Sequence, residues 1–293
     1  MTDMATPLTN DINPPLERSR LASLGIHAIL FVASIVMLYP LLWMLSGSMK
    51  DQSEIFGQAT LIPQNFDLSA YARGWFDGQV TFGTYFWNSL VIAVLSVIGN
   101  VMSCSLAAYA FARLKFWGRD FWFALMLGTL MLPYHVTLIP QYILFLELGW
   151  VKTILPLVVP KFLAVDAFFI FLMVQFFRGI PRELDEAAMM DGCSPWRIYW
   201  RIMLPLSTPV LATAAIFSFI WTWDDFFGPL IYLSDMNTYT VQLGLRSFVD
   251  STGNSDWSGL FAMSSLSLIP VFLIFLFFQR LLIDGIATAG LKR

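Results

Sequence analysis

Residues Arg178–Pro209 read RGIPRELDEAAMMDGCSPWRIYWRIMLPLSTP, a charged interruption between two apolar runs. Its punctuation predicts two short helices with a sharp turn between them. Pro181 suits the first position of a helix, where its missing N–H costs nothing. Glu183, Asp185 and Glu186 follow in the early turns, favourable near the positive end of a helix dipole. Gly192 can take the left-handed conformation that stops a helix. Ser194 and Pro195 then read as N-cap and first position of a second helix. Pro205 and Pro209 mark the entry to the next apolar run.

Outward from this segment the chain is oily. It has 293 residues, 57% of them hydrophobic and 13% charged, against roughly 45–50% apolar and about 25% charged in soluble domains. Lipid must be its solvent over most of its outside. A membrane helix needs about 20 mostly apolar residues to cross roughly 30 Å of hydrocarbon, and six stretches qualify. They run between Arg20 and Lys50, from Phe82 to Ala112, from Phe121 to Leu146, from Ile154 to Phe177, from Leu206 to Leu233 and from Trp257 to Gln279. Pro133 and Pro140 should kink the third; Lys161 and Asp166 break the apolar character of the fourth. These runs are long, continuous and not alternating, which excludes spanning strands. The expectation is an all-α integral membrane protein with six transmembrane helices.

Lys and Arg placement sets the orientation. One set of loops holds Arg18, Arg20, Arg113, Lys115, Arg119, Arg178, Arg182, Arg197, Arg201, Arg280, Lys292 and Arg293; the other holds only Lys50, Arg73, Lys152 and Arg246. The richer side is expected in the cytoplasm, with both termini and the 178–209 loop. Two loops on the opposite side, Lys50–Thr81 and Ser234–Asp256, suit a soluble outside partner or serve as linkers. Residues 1–20 are polar, hold Pro7, Pro14 and Pro15, and read as a disordered cytoplasmic tail before a single domain, 21–293. The first apolar run is too long for a signal-peptide core and lacks a small-residue cleavage site, so it reads as a retained anchor.

The net charge of −3 carries no nucleic-acid footprint. Cys104 and Cys193 suggest neither a disulfide framework nor a metal cluster, and His27 and His135 read as packed or interfacial. A nucleophile–base pair and a phosphate-cradling glycine loop are both missing, so the chain is not expected to hydrolyse ATP or act as an enzyme.

The spacing in the 178–209 loop resembles the EAA loop of binding-protein-dependent ABC importers: Glu-Ala-Ala, three residues, Gly, nine residues, then Ile-x-Leu-Pro. Glu186, Ala187, Ala188, Gly192, Ile202, Leu204 and Pro205 fall in that register, and Asp191 and Pro209 also fit. Cys193 stands where the family usually has alanine. Further features are similar to the carbohydrate-importer branch typified by the maltose system's G-type permease. They are Asn88-Ser89-Leu90 opening the second span, Ala107-Ala108-Tyr109-Ala110-Phe111-Ala112-Arg113 closing it, and Gly285 to Lys292 near the C-terminus. Asp224 departs from that branch, which usually has Trp-Asn before the acid.

The resemblance implies the six-helix type I ABC importer permease fold. It implies a second homologous permease completing the pore, a dimer of ATPase subunits that bind ATP and Mg²⁺, and a periplasmic or extracellular solute-binding protein. The chain itself would need no cofactor, and its place would be the bacterial cytoplasmic (inner) membrane. In that family the loop helices insert into a cleft on the ATPase, and nucleotide-driven closure flips the pore between inward-facing and outward-facing states. By the same resemblance Glu186 pairs with a cation on the ATPase, Ala187 and Ala188 allow close approach, and Gly192 sets the angle between the loop helices. Without the register, the same residues read as a solvated acidic helix with an ordinary cap.

Ionisable groups at membrane depth are costly and face a cavity or a partner. Lys161 and Asp166, five residues apart, are not on quite the same face and read as structural, as an intramembrane pair such as Lys161 with an Asp or as side chains snorkelling near the interface. Asn88, Trp221, Trp223, Asp224, Asp225 and Phe226 are the candidate solute pathway, with the aromatics as stacking faces. For Asn88, and for Gln141 and Gln175, interhelical hydrogen bonding is the competing reading. A secondary transporter or channel working without an ATPase is the alternative function; it predicts an ion path at membrane depth and no dock. A membrane enzyme would require convergent acid, base or metal ligands.

Overall fold

A computed structural model describes residues 20–57, 60–76, 78–249 and 255–290, the side chains of 20–22, 134 and 280–290 excepted. The expected tail through residue 19, and Lys292 of the C-terminal signature, lie outside the described residues. Every regular element among the described residues is helical. Among the described residues, four stretches are long and apolar enough to cross a membrane alone: Ser23–Gly47, Phe82–Arg113, Leu155–Gly179 and Trp257–Gln279. Pro195–Leu206 and Thr208–Trp223, bent by 77°, make a fifth if taken together.

The first helix, α1 (Arg20–Gly47), is exposed from Leu24 to Leu42. It docks only near its end, where Trp43 meets Phe261 edge-on at 5.2 Å. α2 (Phe82–Arg113) is the axis of the molecule, 32 residues long and so about 48 Å at 1.5 Å per residue. Its buried face reads Ser89, Ala93, Ser96, Asn100, Cys104, Ala108, Ala112, at steps of three and four. Small residues at that spacing let neighbouring helices approach closely. A methyl group at Gly99 would come within 2.7 Å of the Phe162 ring.

The stretch expected as the third span is two helices, α3 (Arg119–Thr129) and α4 (Tyr134–Glu147), of 11 and 14 residues. Pro133 makes the break. It lacks an N–H, disfavours helix at Leu132 and is itself extended at φ −61°, ψ 130°. Pro140, expected to kink, lies inside α4 without ending it.

The fourth stretch is also interrupted. A turn of helix at Leu155–Val158 runs into a 3₁₀ segment, Val159–Leu163, and Ala164 then takes the left-handed conformation (φ 54°) before α5 (Ala167–Gly179). That reversal brings Lys161 Nζ to 2.9 Å from Asp166 Oδ2, which a straight helix would not do.

Beyond α5 come α6 (Glu183–Met190), α7 (Pro195–Ile198), a π turn at Tyr199–Met203 and α8 (Thr208–Trp223). The run expected to reach Leu233 stops at Trp223. Asp225 Oδ1 accepts the N–H groups of Phe227 (3.0 Å) and Gly228 (3.1 Å) and starts a separate helix, Phe227–Tyr232. α9 (Trp257–Gly290) closes the bundle, packing on α8. The buried side chains form two clusters. One joins α2, α5, the start of α8 and the 178–209 hairpin; the other joins the opposite ends of α2 and α8 to α9.

Candidate functional site

The hairpin is built much as its punctuation predicts. Asp185 and Glu186 donate their N–H groups to the Arg182 carbonyl at 2.9 and 3.1 Å, so Arg182 is the N-cap. Pro181 therefore stands one residue before the cap and not at the first helical position. At the other end Gly192 is left-handed at φ 76°. Cys193 N–H donates to the Ala188 carbonyl (2.9 Å) and Gly192 N–H to the Met189 carbonyl (3.0 Å), the paired bonds of a Schellman stop. Ser194 Oγ then accepts the Arg197 N–H at 3.4 Å and Pro195 opens α7.

One side of this hairpin is fused to the bundle. Arg113, at the end of α2, forms an ion pair with Asp185 at 3.3 Å, and the two side chains are 4% and 13% exposed. Its Nη2 also donates to the carbonyls of Phe177 (2.8 Å) and Ile180 (2.7 Å), which end α5. One guanidinium thus ties together three helices. One turn back on α2, Tyr109 donates to the Pro195 carbonyl at 3.0 Å, and Ser105 Oγ lies 2.7 Å from the Tyr199 hydroxyl. Burial pushes the Asp185 carboxyl above its usual value, with Arg113 pulling the other way.

The other side of the hairpin is free. Glu186, Ala187 and Asp191 are exposed, and Met190 is 89% exposed. The two alanines part company: Ala187 faces out and Ala188, 7% exposed, joins the interior.

The candidate pathway residues do not form one surface. Trp223 is 2% exposed, stacks on Phe219 at 5.5 Å and donates Nε1–H to the Ser267 carbonyl at 3.0 Å. Its faces are occupied, so packing replaces the expected stacking role. Asn88 donates to the carbonyls of Asn237 (2.7 Å) and Tyr239 (3.0 Å), tying the start of α2 to the loop after Tyr232. Asp224 and Phe226 are exposed at the break after α8, and Asp224 lies 3.4 Å from Gln242 Nε2. Trp221 and Asp225 alone of the six line a polar cavity. On the same end of the bundle, the loop after α1 is held against α9, with Gln52 donating to the Ser255 carbonyl at 2.7 Å and Phe56 against Trp257.

Sequence reasoning undervalued Arg113, Asp185, Tyr109 and Tyr199. In the sequence Arg113 reads as a charge beside an apolar run and as the end of a signature. The available signal was the four-residue step from Ser105 to Tyr109 to Arg113, which places all three on one stripe of α2.

Residues 102–288 match the family model described as "Binding-protein-dependent transport system inner membrane component". The chain is 32% identical to the probable ABC transporter permease protein YurM of Bacillus subtilis, over 95% of this chain and 91% of that one. It is 34% identical to the arabinooligosaccharides transport system permease protein AraQ of Halalkalibacterium halodurans, over 94% and 96%. The trehalose/maltose transport system permease protein MalG of Thermococcus litoralis is 33% identical over 88% and 93%. In fold, the chain is similar to one in the crystal structure of a bacterial ABC transporter involved in the import of the acidic polysaccharide alginate, with a TM-score of 0.79, 24% identity, and 91% and 99% of the two chains covered. With long apolar helices and a family model spanning most of its length, the chain belongs to the binding-protein-dependent transport system inner membrane components, as a multi-pass ABC transporter permease with carbohydrate-uptake permeases among its relatives.

Proposed function

We propose that the chain forms half of the translocation pore of an ATP-driven importer in the bacterial cytoplasmic (inner) membrane, carrying a carbohydrate or carbohydrate-like solute. A second homologous permease completes the pore, a solute-binding protein delivers cargo from outside, and a dimer of separate ATPase subunits binds ATP and Mg²⁺. The chain crosses six times with both termini in the cytoplasm, and the 178–209 hairpin docks on an ATPase. Names of relatives such as AraQ and MalG support the carbohydrate class.

The observation that carries the coupling role is the two-sidedness of the hairpin. Glu186, Ala187 and Met190 are free to meet a partner, while Asp185, Ala188 and Tyr199 are buried against the bundle. A displacement of the docked face is therefore transmitted to α2 and α5 through Arg113 and Tyr109 rather than absorbed by a slack loop. That is what a two-state pore driven by closure of an ATPase pair requires.

Glu186→Lys tests the proposal. The exposed carboxylate has no packing role, so the variant should insert at normal levels yet lose ATP-dependent uptake in reconstituted vesicles. Unchanged uptake would remove Glu186 from the dock.

A further inference from the structure

Pro195–Leu206 meets α8 at a bend of 77°. A spanning helix tilts about 20° from the bilayer normal on average, so a segment at that angle to α8 runs close to the plane of the membrane. We propose that the outer face of Pro195–Leu206 is a seat for anionic phospholipid headgroups in the leaflet on the hairpin's side, held by Arg197 and Arg201 and flanked by Trp196 and Trp200. The proposal goes beyond the docking role of the hairpin and rests on α8 crossing the bilayer, as the permease reading has it.

The segment has two faces. Ile198, Tyr199 and Met203, each at most 2% exposed, turn into the bundle. Trp196, Arg197, Trp200 and Arg201 are exposed, and each pair repeats after four residues, on one side of the segment. The two indoles meet edge-on at 5.7 Å. Tryptophan settles at the headgroup level, where its ring lies against hydrocarbon and its N–H stays wet. The depth agrees. Tyr109 donates to the Pro195 carbonyl at 3.0 Å, which sets the start of the segment about one turn short of Arg113, where α2 ends. Just past that end Lys115 and Trp117 are exposed as well, so two separate stretches bring a cation and an indole to the same end of the bundle.

Charge names the occupant. No acidic residue stands between Gly192 and Trp223. Among the described residues neither the Arg197 nor the Arg201 guanidinium makes a hydrogen bond or an ion pair. Like charges one turn apart repel, and here nothing on the chain offsets them. A phosphodiester does, because it accepts the forked N–H pair of a guanidinium. Zwitterionic and anionic lipids both carry that group, but only the anionic lipid brings net negative charge, favoured about fivefold per arginine near a surface.

The test uses the complete transporter, with its partner permease and ATPase subunits, in nanodiscs of equal phosphatidylglycerol and phosphatidylcholine. One lipid at a time carries a photoactivatable diazirine at the top of an acyl chain, and mass spectrometry reads the crosslinks on residues 195–206. In wild type phosphatidylglycerol should crosslink there about twentyfold more than phosphatidylcholine, the product of two such arginine terms. Arg197→Gln with Arg201→Gln should bring the ratio near one, and Arg197→Lys with Arg201→Lys should keep at least a fivefold preference, a rescue that a packing role would not give. Equal crosslinking of the two lipids in wild type, no crosslink on 195–206, or an unchanged ratio in the double glutamine variant would each overturn the lipid seat. Loss of ATPase subunits from that variant, equal in nanodiscs with and without phosphatidylglycerol, would overturn it too and turn the arginines toward the ATPase. The permease reading fails separately, if the chain assembles with no ATPase subunit at all.

Discussion

Arg113 is the residue on which α2, the end of α5 and the 178–209 hairpin converge. It pairs with Asp185 and caps the carbonyls of Phe177 and Ile180. The pair is loose, since Arg113 Nε and Asp185 Oδ1 have no hydrogen-bond partner among the described residues. Removing the cation is therefore the damaging change. Arg113→Met should cost about 3 kcal/mol, the usual penalty for stranding one member of a buried pair, read as a lower melting temperature in detergent. Asp185→Asn should cost only about 1 kcal/mol, because an amide still accepts a hydrogen bond. The pH dependence has a definite sign. Burial raises the Asp185 carboxyl above its ordinary value, so the folded hairpin binds a proton more readily than the unfolded chain. Its stability is greatest below the ordinary carboxylate pKa and falls as pH rises through the raised value. A pH series of melting temperatures should show this decline in wild type, a steeper one in Arg113→Met, and none from this group in Asp185→Asn.

At the scale of elements, the hairpin is legible in the amino-acid sequence because its signals are local. A left-handed glycine, a Ser-Pro cap and acids in a first turn act within a few residues. What the hairpin touches is not legible there, because Ser105–Tyr199 and Arg113–Asp185 span long sequence separations. The same limit explains α8. An apolar run reads as one helix, and the carboxylate that divides it, Asp225, is recognisable as a cap only once Phe227 and Gly228 are seen to point at it. Lys161 and Asp166 form the structural pair expected of them, and it is the reversal at Ala164, which helical spacing does not foresee, that closes it. Gly192 lets the local argument be tested. A Cβ there would meet nothing within 4 Å, so any cost is backbone strain alone. Gly192→Ala and Gly192→Leu should each destabilise by about 1–2 kcal/mol, and Gly192→Asn by less. A Leu variant far worse than Ala in the same melting assay would mean that the side chain itself, and not backbone strain alone, carries the cost.

The whole molecule turns on how often the chain crosses. Composition makes the oil legible and six long apolar runs predict six crossings, but α3 and α4 are each too short to cross alone. Their contacts argue that together they still do. Phe123 on α3 packs on Phe111 at 5.4 Å and lies under Arg178 at 5.0 Å, at the hairpin end of the bundle. Phe145 on α4 packs on Tyr232 at 5.5 Å, and the following loop is pinned where Lys152 N–H donates to the Tyr232 carbonyl at 2.8 Å, at the far end. The pair thus travels from one end of α2 to the other, with the Pro133 break midway. Single cysteines at Trp117 and Glu147, both exposed, distinguish a broken crossing from a re-entrant loop once Cys104 and Cys193 are replaced by serine or alanine. In intact cells an impermeant maleimide should label Glu147→Cys and leave Trp117→Cys unlabelled until the membrane is opened. Equal protection of both sites would put α3 and α4 on one side, reduce the crossings to an odd number, and place the two termini on opposite faces.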